Sequence, residues 1–376
     1  MSIREILRQL SLRGWEVAII GATIFDAPAG VKRVGDQWDD MRKRRGKVIS
    51  VREAPLVHNL LVTASTDREA MTTGEQSSWY HMLARTLNTF KPDLVFYYGG
   101  HPFDYVISDS ARMHRIPNIA YVANGNYWGT RWCRDVDLVV TDSKATAALL
   151  QERCQVSPTA IGKFIDPAFC VPEAHSRERV LFINPQLVKG AGVVVVLALM
   201  LETLRPDIKF EVVESRGSWA TVVRMVTAAL GTPRDTLPNV IITPNSPDLR
   251  AAYSRARILL APSLWWESGP RVAAEAMLNG IPTLYTRRGG AIEMVGDGGV
   301  EITLPEKCYA APYTTLPTQA TLRPAAEAIL RLFDDEAFYS DKSAKAYRMG
   351  HMAHDLQENV SRLIATLEPL MAAAEA

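Results

Sequence analysis

No apolar run in this sequence is long enough to cross a membrane. The longest, from Ala191 to Leu201, is about half of the roughly 20 residues a spanning helix requires, and it reads as a buried helix. Cysteine is sparse. Cys133, Cys154, Cys170 and Cys308 lie far apart, with neither a CxxC pair nor a histidine cluster nearby. That spacing argues against a zinc site and a disulfide framework, and a reducing cytoplasm fits best. An excess of charge is missing too: 42 Lys and Arg against 41 Asp and Glu leave a formal net charge of +1. No global field holds such a chain on nucleic acid or an anionic membrane, so any contact of that kind must be local. The N-terminal MSIREILRQL carries Arg4, Glu5 and Arg8 where a signal peptide needs an uninterrupted apolar core, so a cytoplasmic protein is expected. What remains is a globular composition, 47% apolar and 22% charged, able to bury substantial cores.

A chain of 376 residues exceeds what one hydrophobic core usually serves, so two domains are expected. Short β-rich runs alternate with longer helical stretches. WEVAII (15–20), DLVFYY (93–98), NIAYVA (118–123) and VDLVVT (136–141) are the clearest early strands. The pattern restarts after FCVPEAHSRER (169–179), a linker-like segment, with VLFIN (180–184), FEVVE (210–214), NVIIT (239–243), ILLAP (258–262) and PTLYT (282–286). Such alternation implies parallel βαβ units and an α/β fold. From about Arg323 onward the chain is helical in composition, with several alanines. The expectation is two Rossmann-like doubly wound domains, 1–171 and 172–335, followed by helices over 336–376. Two such domains create a cleft where the C-terminal strand edges of both sheets meet, which is where open α/β sheets bind ligands.

The chemistry concentrates in ILLAPSLWWESGPRVAAEAMLNGIPTLYT. A buried strand ends at Pro262, a loop follows, and a helix runs from Pro270 at its first position to a stop at Gly280. Glu267 then stands just before a helix N-terminus and Glu275 lies inside the helix, so both carboxylates border one pocket. The helix N-terminus offers N–H groups and the positive end of its dipole, a fit for a diphosphate. On their own, two glutamates at this spacing most often mark a surface helix and its cap. The motifs around them alter that reading.

Two glutamates separated by seven residues, then EAMLNGIP, a strand and GGAIE resemble the donor site of glycosyltransferase family 4, the retaining GT-B enzymes. The resemblance is specific from roughly Arg179 to Gly299 and looser elsewhere. It implies a GT-B fold, two Rossmann-like domains facing across a cleft with C-terminal helices crossing back. It implies that Glu267 holds hydroxyls of the transferred sugar and that Glu275 holds the ribose of the nucleotide. The family's lysine-glycine pair falls on Lys189 and Gly190 in NPQLVKG, with Lys189 reaching the diphosphate. Gly269, Gly289 and Gly290 join the donor-binding set, the last two as a close backbone approach or a plain tight turn. Many relatives carry Gly-Arg where this chain has Asn184-Pro185, and Arg271 is read either as the compensating phosphate ligand or as a helix-surface arginine. Pro270 replaces a frequent glycine and brings no N–H to the site.

Acceptor groups in this fold come from loops after the N-domain strands, here GGHP (99–102) and NGNYW (124–128). His101 is read as orienting an acceptor hydroxyl or contacting the donor sugar, or as a structural hydrogen-bonder. Gly100, Asn124 and Gly125 complete the acceptor side, Asn124 standing where relatives often have histidine. Family members begin with a strand and a glycine-rich loop, whereas Ser2 already enters helical sequence, so the first strand is expected to be missing. MRKRRGK (41–47) is the one dense basic patch. Arg42, Lys43, Arg44, Arg45 and Lys47 suit a lipid-linked or phosphorylated acceptor, weak peripheral contact with the inner face of an anionic membrane, or a solvated loop.

The reaction implied is sugar transfer from a nucleoside-diphosphate sugar to a hydroxyl acceptor, with retention and with neither metal nor cofactor. The rival expectations are a non-catalytic nucleotide-sugar or glycan-binding homologue and a GT-B enzyme of different chemistry.

Overall fold

The computed structural model describes residues 2–25, 37–98, 104–246 and 248–375. Gly100 and His101 lie outside the described residues. The chain forms two compact units. The first comprises Met1–Val122, Gly129–Val139 and Val360–Ala376, and the second Ala123–Trp128 with Val140–Asn359.

The first unit opens with helix α1 (Ser2–Leu12), whose Ile6 and Leu10 are buried. Strand β1 (Ile19–Ala22) follows, then α2 (Gln37–Arg42) and the antiparallel pair β2 (Val48–Glu53) and β3 (Leu56–Leu61). β1 lies parallel to β3, Ile20 opposite Asn59, giving the order β1-β3-β2. The strand expected over 15–20 therefore sits two to four residues later. Helix α3 (Thr73–Phe90) starts with a capping box. Thr72 Oγ1 accepts from the Glu75 N–H at 3.3 Å and Glu75 Oε2 accepts from the Thr72 N–H at 2.9 Å, satisfying donors a helix start leaves open. β4 (Val95–Tyr98), α4 (Tyr105–Met113) and β5 (Asn118–Val122) complete a βαβ unit with β4 and β5 parallel. All five residues of β5 are buried, as a strand covered on both faces requires.

In the basic patch, Arg42 faces Asp39 at 4.0 Å, Lys43 pairs with Asp40 at 2.7 Å and Arg45 with Glu75 at 3.4 Å.

β6 (Leu138–Thr141) begins in the first unit and ends in the second, which carries α5 (Lys144–Cys154), β7 (Thr159–Ala160) and a six-stranded parallel sheet. Its strands are β8 (Arg179–Ile183), β9 (Lys209–Val213), β10 (Val240–Thr243), β11 (Ala256–Ala261), β12 (Thr283–Tyr285) and β13 (Gly299–Glu301), in the order β10-β9-β8-β11-β12-β13. With β8 counted first this is the doubly wound order 3-2-1-4-5-6.

Strand alternation supplies a core on each face. Val180, Phe182, Phe210, Val212, Ile258 and Leu260 pack on one side with α6 (Ala191–Leu204), α7 (Trp219–Ala229) and α11 (Gln319–Asp334). Leu181, Ile183, Val213 and Leu259 pack on the other with α9 (Arg271–Leu278) and α10 (Ala291–Val295). α6 is the apolar run of the sequence, with Ala191 to Ala198 all buried. α8 (Arg250–Arg255) precedes β11, and α12 (Glu336–Ala353) and α13 (Leu356–Glu375) close the chain. Among the described residues no helix is long and apolar enough to cross a membrane.

Candidate functional site

In a doubly wound sheet, ligands bind beyond the strand ends where the winding reverses. Here that point lies between β8 and β11, which are neighbours in the sheet. The loop after β8 carries Lys189, and the loop after β11 carries Glu267.

Backbone contacts hold these two loops together. The N–H groups of Leu264 and Trp265 donate to the Val188 carbonyl at 3.0 and 3.2 Å. Gly190 adopts φ 80°, and a Cβ there would stand 2.0 Å from the Pro262 carbonyl oxygen. Only glycine combines that conformation with that approach. The outcome is that Lys189 Nζ donates directly to Glu267 Oε1. Ser263 Oγ donates to the same oxygen at 2.9 Å.

The third loop, after β12, closes on Glu267 from its backbone side. The Gly290 N–H donates to the Glu267 carbonyl at 2.8 Å. A Cβ at Gly289 (φ 62°) would lie 2.1 Å from that carbonyl oxygen, and one at Gly290 would lie 2.1 Å from the Ser268 oxygen. Both glycines are close approaches to backbone. Glu293 from the same motif turns elsewhere: its carboxylate accepts the N–H groups of Lys144 at 2.8 Å and Ala145 at 2.7 Å, capping α5.

Pro270 is not the first helical residue, as expected, but the cap of α9, with φ −63° and ψ 108°. Proline disfavours helical geometry in the residue before it and fixes its own φ, so an extended ψ here launches the helix at Arg271. Its carbonyl accepts the Ala273 N–H at 3.1 Å.

Glu275 is buried at 5% exposure, and two donors meet it there. Tyr253 Oη donates at 2.6 Å and Arg271 Nε at 2.5 Å. The structure thus brings Arg271 to Glu275 rather than leaving it on the helix surface. Burial pushes the Tyr253 hydroxyl well above its ordinary value, and the Glu275 charge pushes it further. Burial works against the Arg271 cation, but the Glu275 charge and hydrogen bond outweigh it and hold the guanidinium above its usual range. Glu275 is thereby a fixed acceptor whose charge is matched.

Of the remaining expected residues, Asn124 pairs its backbone with Glu267 in an isolated antiparallel bridge. Its Oδ1 accepts from the Asn126 N–H at 2.9 Å. A Cβ at Gly125 would meet the Trp266 ring at 2.8 Å, and one at Gly269 would meet Asp142 Cβ at 2.9 Å. Glu267, Lys189, Gly190, Gly289, Gly290 and the Asn124 backbone form one cluster, and Glu275 with Arg271 forms another on α9. Sequence reasoning misses Ser263 and Tyr253. Ser263 stands one helical turn before Glu267 in a loop, where spacing carries no rule, and Tyr253 sits in α8 among small residues that announce nothing.

Residues 172–310 match the family described as glycosyl transferases group 1. No curated protein matches the chain by sequence. Among solved structures, sucrose-phosphate synthase from Thermosynechococcus elongatus superposes with a TM-score of 0.69 at 14% identity, covering 99% of this chain and 93% of that one. A glycosyltransferase from Rickettsia africae gives 0.67 at 15%, covering 98% and 94%. Anabaena HepE in complex with UDP-glucose gives 0.63 at 15%, covering 83% and 86%. The fold is GT-B. Within GT-B, the family match spans the six-stranded sheet, and the loops after its β8, β11 and β12 are those that converge on Glu267.

Proposed function

We propose that the chain is a glycosyltransferase that moves a sugar from a nucleoside-diphosphate sugar to a hydroxyl acceptor, with retention at the anomeric carbon. The observation that carries this reading is the direct contact of Lys189 with Glu267 at the switch point of the sheet. A cation and a carboxylate held together beside a helix start are the two chemistries that a sugar nucleotide needs, one for diphosphate and one for sugar hydroxyls. The glycosyl transferases group 1 match over 172–310 supports it. So does the likeness to HepE, whose structure holds UDP-glucose.

In this mechanism Glu267 holds hydroxyls of the transferred sugar, and Glu275 the ribose. Lys189 is released from Glu267 as the diphosphate arrives and neutralises the charge that grows on the leaving group. That is electrostatic preorganisation, with neither a covalent intermediate nor a metal or cofactor. Gly269, Gly289 and Gly290 bring backbone to the donor. Asn124 and Gly125 are assigned to the acceptor side, as are Gly100 and His101 from the sequence alone, the acceptor being a glycan, a lipid-linked sugar or a small molecule. The protein works in the cytoplasm, with weak peripheral contact to the inner membrane face through Arg42, Lys43, Arg44, Arg45 and Lys47.

The test is a panel of UDP-, GDP- and other nucleoside-diphosphate sugars, followed by thermal stabilisation and nucleotide release, beside Glu267→Gln. Ligand binding to the folded state raises apparent stability. Release that Glu267→Gln abolishes supports the transferase. Stabilisation with neither release nor transfer identifies a non-catalytic sugar-nucleotide binder, a reading that the missing N–H of Pro270 at the α9 cap favours. Silence with every donor overturns both.

A further inference from the structure

The segment 169–179, which reads in sequence as a linker, holds Arg177 in the left-handed backbone region at φ 57°. That conformation is uncommon for a residue with a side chain and persists where surrounding contacts impose it. Here the Ser176 and Glu178 N–H groups bond the carbonyls of Ser254 and Arg255, each at 2.8 Å. So fixed, Arg177 extends to the C-terminal end of α9, where its Nη2 donates to the Asn279 carbonyl at 2.6 Å.

Around it lies a cavity of about 480 Å³, walled by Arg177, Asn279 and Gly280 on one side and by Tyr339, Ser340, Ser343, Tyr347 and Arg348 of α12 on the other. It sits at the end of α9 opposite the one that faces Glu267. Two polar atoms beside it are buried without a hydrogen-bond partner among the described residues, the Arg177 Nη1 donor and the Asn279 Oδ1 acceptor. Buried polar groups are normally satisfied, and a water or a ligand that reached this pair would satisfy both. Of the nearby acids of α12, Glu336 pairs with Arg257 and Asp341 with Lys345, each at 2.7 Å, and the Asp341 charge also reaches Arg348. Burial lowers the Arg177 guanidinium from its ordinary value, Tyr339 opposes this, and the neighbouring Arg257 charge adds to it.

We propose that this cavity binds a sugar phosphate, its phosphoryl group held between the Arg177 and Arg348 guanidiniums and its hydroxyls donating toward Asn279 Oδ1. Planar guanidinium forks match phosphate oxygens bidentately. The depression is open to solvent and leaves room beside a phosphate, and the Tyr347 ring offers a sugar an apolar wall. A ligand seated against Asn279 bears on the helix that positions Arg271 and Glu275.

The experiment is titration calorimetry with glucose 6-phosphate, inorganic phosphate and glucose as probes at matched ionic strength. Wild type, Arg348→Ala, Arg177→Lys and Lys189→Ala are compared, with a melting curve for each. Glucose 6-phosphate is expected to bind more tightly than phosphate, and glucose not at all. Arg348→Ala, at an exposed position that leaves folding intact, weakens glucose 6-phosphate by roughly tenfold. Arg177→Lys, which keeps the charge and loses the fork, weakens it as well, and Lys189→Ala leaves it unchanged. Absence of binding, indifference to Arg348→Ala, or loss in Lys189→Ala would overturn the site. Equal affinity for phosphate and glucose 6-phosphate would overturn the sugar half of the assignment.

Discussion

Glu293 spans 149 positions of sequence to accept the Lys144 N–H, and with its other oxygen it accepts that of Ala145. A carboxylate on the first N–H groups of α5 meets both the unpaired donors and the positive end of the helix dipole. Glu293→Ala should cost about 1–2 kcal/mol of stability, with Glu293→Gln recovering part of it. Urea unfolding midpoints check this, and an unchanged midpoint in Glu293→Ala would refute the capping role.

Gly190 separates packing from chemistry. Gly190→Ala brings a Cβ to 2.0 Å from the Pro262 oxygen at a φ of 80°, so the two loops must part. The expected loss exceeds about 1 kcal/mol, and nucleotide release falls with it. Lys189→Ala should reduce release without a comparable fall in melting temperature. Equal melting points for the two variants would contradict this division.

Most of the six-stranded sheet is legible in the sequence for a physical reason. Strands buried on both faces are continuous apolar runs, and VLFIN, FEVVE and ILLAP stand out against their flanks. The β2–β3 pair is not legible, because five of the six residues of β2 are exposed and its turn carries no Asn-Gly or Asp-Gly signal. β13 is three residues long, too short to show a period. In the candidate site, Lys189 and Glu267 can be singled out from local motifs, but their contact depends on the β8–β11 adjacency, which is tertiary. Arg271 illustrates the limit in the other direction. Its position in the first turn of α9 is readable, whereas its bond to Glu275 follows from the burial of both and from Tyr253 on a different helix.

The Lys189–Glu267 contact makes a kinetic prediction. If the lysine serves the leaving diphosphate, Lys189→Ala lowers kcat about 10²–10³-fold, the usual loss for one preorganised electrostatic contact. Glu267→Gln is expected to be at least as severe. The two losses should not add in Lys189→Ala/Glu267→Gln, because groups in direct contact couple. Steady-state nucleotide release from the best donor of the panel measures all three, and strict additivity would mean that the contact has no part in turnover.

Glu211 makes a prediction at acid pH. It is fully buried in β9. Burial alone would raise its carboxyl, but hydrogen bonds from Arg255 and Thr243, the Arg255 charge and a hydrogen bond from Arg179 reverse that and hold it below the ordinary 4.5. A depressed carboxyl contributes stability above its unfolded value and loses it as pH falls through the folded one. The wild type should therefore weaken below about pH 4.5, and Glu211→Gln should weaken less steeply there. At pH 7 the same variant should be less stable by about 3–5 kcal/mol, since it leaves two arginines uncompensated. Parallel denaturant curves for the two proteins across pH 3.5–7 would disprove this.

His354 governs the milder range. Its imidazole is fully buried, with Nε2 2.8 Å from the Met294 carbonyl, and is therefore the donor on that side. Burial lowers its value below the ordinary 6.5; the Met294 bond opposes this, and the Lys163 charge adds to it. For a depressed histidine the unfolded chain takes up the proton first. Stability is then complete above about pH 6.5 and declines as pH falls through 6.5 toward the folded value, by at most about 1.4 kcal/mol per pH unit. His354→Gln keeps a donor for Met294 and cannot titrate, so the difference between its denaturant midpoint and that of the wild type should shrink or reverse between pH 8 and pH 5.5. A constant difference across that range would show that His354 takes up no proton on unfolding.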